Sequence, residues 1–490
     1  MYTSDLFYAL PELFLVLVII TLLMFGVFQN NQAKEQEIKT AKTTSWLAAL
    51  SIFLAIFMVL SFEGERYLTF QDMFINDNFS MFLKVLVLFG AMTTLIIGQG
   101  FLERNSMFQF EYPILIIFAC IGMMMMLSAN DLIPMYLGLE MQSLSLYILA
   151  AFRRDDNRSV EAGLKYFVLG AIASGMILYG CSLVYGISGS TNFSDIAKNL
   201  NPGSDSPANI VGILGIVFIL AGLSFKISAV PFHMWTPDVY EGAATPVTAF
   251  FSIAPKIAAF GILIRIMFVP FGNAVHEWQQ IIIFISIASM SLGALGALNQ
   301  KKIKRLMAYS SISHVGYALI GVAVANRIGV QSALIYLTIY LIMNLGAFAC
   351  ILSMKTQDQM LEKISDLAGK GKNHPLLASA FAIFFFSLAG IPPLAGFAGK
   401  FVIFKVAIDA ELYLLSIIGV LTSVISAFYY LRIIKILYFD PGDEKFDQPI
   451  ENGIKVITGA SAILTLLFLL FPNLIFSSAN IAANSLFLGM

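Results

Sequence analysis

About fourteen stretches of roughly twenty mostly apolar residues follow one another along this chain. They lie near 6–28, 44–62, 79–99, 112–128, 130–151, 160–187, 209–233, 245–270, 278–298, 306–325, 330–354, 377–403, 411–438 and 454–476. Twenty helical residues span about 30 Å, the thickness of a bilayer's hydrocarbon core. Backbone in lipid must satisfy its own hydrogen bonds, so runs of this length are expected to be α-helices. The expected fold is an all-α polytopic membrane protein. Composition agrees, since only 12% of residues are charged, against about 25% in soluble domains.

Other classes are excluded on the same grounds. A net charge of −1, with no basic tail or Lys/Arg-rich patch, gives no footprint for nucleic acid. Cys120, Cys181 and Cys350 are far apart in apolar segments, so neither a disulfide framework nor a zinc site is expected. The first run, "LFYALPELFLVLVIITLLMFGVF", lacks a basic n-region and a small-residue cleavage site, and is expected to remain as the first helix. Three longer polar links, "QNNQAKEQEIKTAKTT", "EGERYLTFQDMFINDN" and "KTQDQMLEKISDLAGKGKNH", could hold short interfacial helices. Lys and Arg collect in alternate loops, among them Lys34, Arg153, Arg154, Lys301, Lys302, Lys370 and Lys372, while the opposite loops hold little beyond Arg66, Lys198 and Arg327. By the positive-inside rule both termini are expected on the outer side.

Against this background the charges inside the runs stand out, because each costs about 2.5–3.5 kcal/mol to insert. Glu140 lies mid-run in "MYLGLEMQSLSLYILAAF", Lys226 in "ILAGLSFKISAVPF", Lys256 in "FSIAPKIAAFGILIRIMF" and Lys400 at the end of "LAGIPPLAGFAGK". One structural salt bridge, such as Glu140 with Lys226, could explain two of them but not all four. Glu161 and Lys165 stand one turn apart, where a surface ion pair competes evenly with a transport role. Arg265 and Lys84 fit interface anchors better. His314 enters the run "YSSISHVGYALIGVA".

Two runs are also interrupted. Pro231 follows Lys226, and Pro392–Pro393 precede Lys400. A mid-helix proline removes a backbone hydrogen bond, and in lipid the freed carbonyls need protein or water. Broken helices beside ionisable groups are the pattern of ion pathways. A lysine out of water gives up its proton more readily, and a nearby carboxylate reverses that, so proton transfer through intervening water is the chemistry that fits. There is no GxxxxGK[ST], no strand-to-helix GxGxxG, and no Cys set for an iron–sulfur cluster. The energy source is expected to lie elsewhere.

"FKISAVPFHMWTPDVYEGAATPVTAFFSIAPK", "LMAYSSISHVGYALIG" and "LAGIPPLAGFAGKF" resemble the antiporter-like membrane subunits of respiratory complex I, most closely the family of NADH–ubiquinone oxidoreductase subunit 2 and bacterial subunit N. "DLIPMYLGLEMQSLSLYILAAF" and "EAGLKYFVLGAIASGMILYGCSLVYG" extend the likeness over roughly residues 110–440. The resemblance implies fourteen helices with two inverted five-helix repeats, each with a broken helix. Its boundaries here would be 1–111 for helices 1–3, 112–270 and 271–440 for the repeats, and 441–490 for the last helix. It implies a proton path through Glu140, Lys226, Lys256 and Lys400, with Glu161, Lys165 and His314 in supporting positions and the breaks at Pro231 and Pro392–Pro393. It implies no cofactor in this chain, with flavin, iron–sulfur clusters and quinone in partner subunits, and further antiporter-like subunits as neighbours in the bilayer. A cation/proton antiporter without redox coupling, a photosynthetic NDH subunit, and a purely structural subunit are the alternatives. "STNFSDIAKNL" and the general wording favour the mitochondrial inner membrane, with a bacterial plasma membrane as the other expectation.

Overall fold

A computed structural model describes residues 2–29, 34–62, 64, 66–200, 207–357, 359–442 and 445–488. Helices dominate. A short α1 (Tyr2–Tyr8) leads into α2 (Leu10–Gln29), followed by α3 (Lys34–Leu60), α4 (Asn78–Arg104), α5 (Glu111–Leu127), α6 (Leu132–Ala150) and α7 (Asn157–Ser188). After the short α8 (Phe193–Asn199) come α9 (Pro207–Ile227), α10 (Trp235–Gly242), α11 (Thr245–Phe268), α12 (Val275–Leu298), α13 (Ile303–Ala323) and α14 (Arg327–Leu352). The chain ends with α15 (Lys370–Asn373), α16 (Pro375–Ala389), α17 (Ala395–Asp409), α18 (Tyr413–Phe439), α19 (Asn452–Leu467) and α20 (Asn473–Phe487).

Among the described residues, 12 helices are long and apolar enough to cross a membrane. The shorter apolar helices Glu111–Leu127 and Pro375–Ala389 fill the two remaining positions of the sequence pattern. The second of these is short because its span is broken and continues as α17. The two halves pack alike. In the first, α5 lies on α6 and α7 on α9; in the second, α12 lies on α13 and α14 on α16 and α17.

At the centre stands α11, every residue of which is buried. A helix apolar on all sides is stable only when surrounded by other helices or lipid, and here helices surround it. Close packing of neighbours is set by small residues: a Cβ on Gly122 of α5 would lie 2.5 Å from the Gln142 nitrogen of α6, so glycine there permits the approach.

The first two polar links differ from the expectation of short interfacial helices, and the third meets it in part. In the first link Gln29 closes α2, residues 30–33 lie outside the described residues, and the remainder extends α3. The second forms an antiparallel hairpin, β1 (Tyr67–Thr69) with β2 (Phe74–Asn76), because Phe70, Gln71 and Asp72 all take the left-handed conformation of a turn. The third combines a hairpin of β3 (Lys355–Thr356) and β4 (Gln359–Met360) with a 3-10 turn at Ile364–Leu367 and α15. A further helix, α20, packs on α4 and α14.

Candidate functional site: a polar row through the apolar core

Each break is built from local chemistry. α9 ends at Ile227, and Ser228 turns the chain with φ +66. The backbone groups released there find side chains: the Trp235 indole donates to the Phe225 carbonyl at 3.0 Å, and the Val230 N–H donates to Ser289 Oγ at 2.9 Å. α16 ends at Ala389, and Gly390 takes φ +88. Its released carbonyls find an ammonium instead. Lys400 Nζ donates to the Leu388 and Ala389 carbonyls at 3.1 and 3.0 Å, and to Ser423 Oγ at 2.8 Å.

The sequence-flagged ionisable groups within the core sit on elements that pack in succession. α6 meets α7, α7 meets α9, α9 meets α11, α11 meets α13, and α13 meets α17. On α9, Lys226 donates to Ser143 Oγ of α6 at 2.7 Å and to Ser174 Oγ of α7 at 3.4 Å. Lys256, midway along α11 and directly after Pro255, donates to Ser311 Oγ of α13 and lies 5.3 Å from the centre of the Tyr240 ring. One turn on from Ser311, His314 joins two tyrosines, Nδ1 to Tyr336 Oη at 2.6 Å and Nε2 to Tyr430 Oη at 3.2 Å. Tyr430 Oη is itself 2.5 Å from Ser310 Oγ. Lys256, His314, Tyr336 and Tyr340 line a small cavity of ≈ 10 Å³. Past His314, the Tyr317 ring lies 4.9 Å from Lys400 Nζ. Lysines, a histidine, tyrosines and serines thus place exchangeable protons on successive packed helices of the core.

Glu140 lies on α6 one turn before Ser143, half-buried, with Oε1 enclosed and not hydrogen-bonded. The direct Glu140–Lys226 salt bridge considered from sequence is not formed: the ammonium sits on two serine hydroxyls instead. Glu161 and Lys165 do pair, at 2.7 Å, but near the start of α7 and largely exposed. Lys165 also reaches Asp238 at 2.9 Å, and Arg305 joins Asp238 and Glu241 at 2.8 and 3.0 Å. This network rims a polar cavity of ≈ 240 Å³ at the lysine-rich end. Pro231, Pro392 and Pro393 lie exposed in the two breaks.

Arg265 and Lys84 are corrected by the structure. Neither is an interface anchor. Arg265 is buried and holds Asp77 through two hydrogen bonds of 2.8 and 2.9 Å, while buried Lys84 pairs with Glu12 at 2.5 Å. Burial pushes the Asp77 carboxyl up, but Arg265 and Ser80 pull it down further, leaving it below its ordinary value. The pair's contribution is therefore present at neutral pH and fades only as pH falls through that depressed value. The sequence reading also passed over Tyr336, Tyr430, Ser143, Ser311 and Ser423. Their signal was present, as hydroxyls inside otherwise apolar runs, but tyrosine and serine are common enough in such runs that only packing singles them out.

Among the described residues, twelve helices long enough to span a bilayer, two shorter apolar helices, two breaks and a buried row of titratable groups are the features of a polytopic membrane protein of the antiporter-like class. The family model described as NADH:quinone oxidoreductase/Mrp antiporter, TM, matches residues 129–426. The chain belongs to that family. It is 51% identical over 487 residues to the NADH-quinone oxidoreductase subunit N of Paramagnetospirillum magneticum, covering 99% of each chain. It is 53% identical over 479 residues to the subunit of the same name from Parvibaculum lavamentivorans, covering 98% of this chain and 97% of that one. Among solved structures it matches a chain of respiratory complex I from Thermus thermophilus with bound aureothin, at a TM-score of 0.80 and 31% identity over 95% of this chain and 98% of that one. A chain of the Mrp complex from Dietzia matches with a TM-score of 0.83 at 21% identity, over 99% of this chain and 98% of that one, which is a likeness of fold.

Proposed function

We propose that this chain is the N-type membrane subunit of an NADH:quinone oxidoreductase, and that it moves protons along Glu140, Lys226, Lys256, His314 and Lys400 while quinone is reduced in partner subunits. The observation that carries this reading is the row itself. Three lysines and a histidine occupy buried positions at the cost of several kcal/mol, each linked to hydroxyl groups rather than locked to a carboxylate. A structural role would pair such charges off, as Asp77–Arg265 and Glu12–Lys84 do. Pairing with hydroxyls leaves Lys226 and Lys256 able to release a proton without stranding a buried counter-charge, while Lys400 shares its ammonium between Ser423 and two carbonyls.

Glu140 supplies the negative end that would favour a protonated Lys226, and Lys256 and His314 face one small cavity between α11 and α13. Glu161 and Lys165 belong to the entrance at the lysine-rich end. The partners are the other membrane subunits of the complex, with flavin, iron–sulfur clusters and quinone held outside this chain. Roughly half of all residues are shared with bacterial relatives along nearly the whole length. This supports the bacterial plasma membrane rather than the mitochondrial inner membrane, with the lysine-rich end in the cytoplasm and both termini outside.

Replacement of Lys226 by Ala in the assembled complex tests the proposal. Proton pumping and quinone-linked NADH oxidation should both fall by about tenfold or more, the scale of a lost proton-transfer group. Full pumping by an assembled variant would refute the transport role. Copurification without flavin and iron–sulfur proteins would instead support an antiporter without redox coupling.

A further inference from the structure

The proton row leaves unused a groove at the lysine-rich end. A cavity of ≈ 620 Å³ opens between the first turns of α16 and α19, its mouth formed by Asn373, His374, Gln448 and Lys455. Among the described residues no carboxylate lines it. Below the mouth the walls turn apolar, with Leu377, Ala380 and Ile383 on α16 facing Ile454, Ala462 and Ile463 on α19. Eight residues separate Pro375 from Ile383 and Lys455 from Ile463, so the trough is about 12 Å long on either wall. The α19 wall is open at Gly459, where an added Cβ would meet nothing within 4 Å.

The mouth is built to receive negative charge. Glu451 at the N-cap of α19 is paired with Arg104, and Asp447 accepts from the Gln357 N–H. With no side-chain hydrogen bond at either N-cap, the start of α19, and that of α16 beyond Pro375, present backbone N–H groups and the positive ends of their dipoles. Lys455 adds a full positive charge and is exposed. Lys370 and Lys445 lie close enough to depress His374, after burial, below the ordinary imidazole value. A cationic rim above an apolar trough, aligned with the helix axes, follows the order of a phospholipid: headgroup, then chain.

We infer that this groove seats one anionic phospholipid, its phosphate against Lys455 and the two helix starts and one acyl chain between α16 and α19. On the orientation proposed above, it comes from the cytoplasmic leaflet. The site lies apart from the row of Lys226, Lys256 and Lys400, and its occupancy does not depend on that row's role.

The test uses the assembled complex in detergent micelles with phosphatidylglycerol carrying a photoactivatable group on one acyl chain, and the matching phosphatidylcholine as comparator. The groove predicts labelled peptides covering residues 376–383 and 454–463, more strongly with phosphatidylglycerol. Lys455→Glu should cut that labelling by about fivefold, the worth of a basic residue near anionic lipid. Gly459→Leu, which fills the trough without touching the rim, should abolish it with either lipid. Equal labelling by the two lipids in the unaltered complex overturns the inference and needs no variant. So does labelling no stronger than at the exposed α7 face around Leu164 and Ile172, displacement by inorganic phosphate alone, or a partner-subunit peptide crosslinked across the groove.

Discussion

The two broken helices solve one problem in different ways. In α9–α10 the loose backbone is tied by neutral groups, the Trp235 indole and the Ser289 hydroxyl, and Lys226 takes no part in it. In α16–α17 the tie is the lysine itself, whose ammonium caps the last carbonyls of α16. The first lysine is therefore free to change its protonation with little effect on the break. The second cannot leave without releasing two carbonyls in a site where each unsatisfied group costs about 1–3 kcal/mol. The same ingredients, a lysine and a proline, yield a charge held apart from the break in one half and a charge that doubles as scaffold in the other.

The comparison is most easily broken at Gly390. Its φ is +88, and a Cβ would lie 2.9 Å from Lys400 Cδ. Gly390→Val should prevent stable assembly, combining backbone strain of about 1–2 kcal/mol with displacement of the capping ammonium; immunodetection of the assembled complex reads this. Next come the paired lysine variants. Lys400→Ala should lower stability by about 2–4 kcal/mol through its orphaned carbonyls, whereas Lys226→Ala should cost under about 1 kcal/mol, because Ser143 already bonds its own helix at Leu139. Thermal unfolding of the two variants side by side gives the difference, and equal losses would erase the distinction drawn here. Trp235→Phe should cost about 1–2 kcal/mol by freeing the Phe225 carbonyl while keeping a ring against Tyr166. The smallest effect is a gain: Ser228→Gly relieves a left-handed non-glycine residue and should stabilise by about 0.5–1 kcal/mol, seen as a small rise in the same unfolding curve.

Much of the architecture was legible in run length alone, because a bilayer admits few alternatives to helices of that size. The breaks were legible too, since Pro231 and Pro392–Pro393 interrupt runs with nothing else to explain them. What the sequence could not convey was pairing at a distance. Arg265 looks like an interface anchor until Asp77, 188 residues away, is placed against it. Lys84 misled in the same way through Glu12. The tyrosine links at Tyr336 and Tyr430 were hidden because an aromatic ring reads as apolar, and only packing reveals where its hydroxyl points. The turn at Phe70–Asp72 has no glycine to announce it, so a hairpin passed for an interfacial helix. α20 went unread because its polar face, with Asn473, Ser477, Ser478 and Asn484, breaks the apolar run.

The central claim is that protons cross between the two halves through Lys256. Its ammonium has one hydroxyl partner, Ser311, and α11 carries it through the middle of the core. The direct measurement is the number of protons translocated per NADH oxidised by the complex in sealed vesicles, with Lys256 replaced by Met to keep the volume and remove the exchangeable proton. A fully assembled variant should show proton translocation reduced by about tenfold or more, with NADH oxidation slowed alongside. An unchanged rate and ratio in that variant would contradict the account.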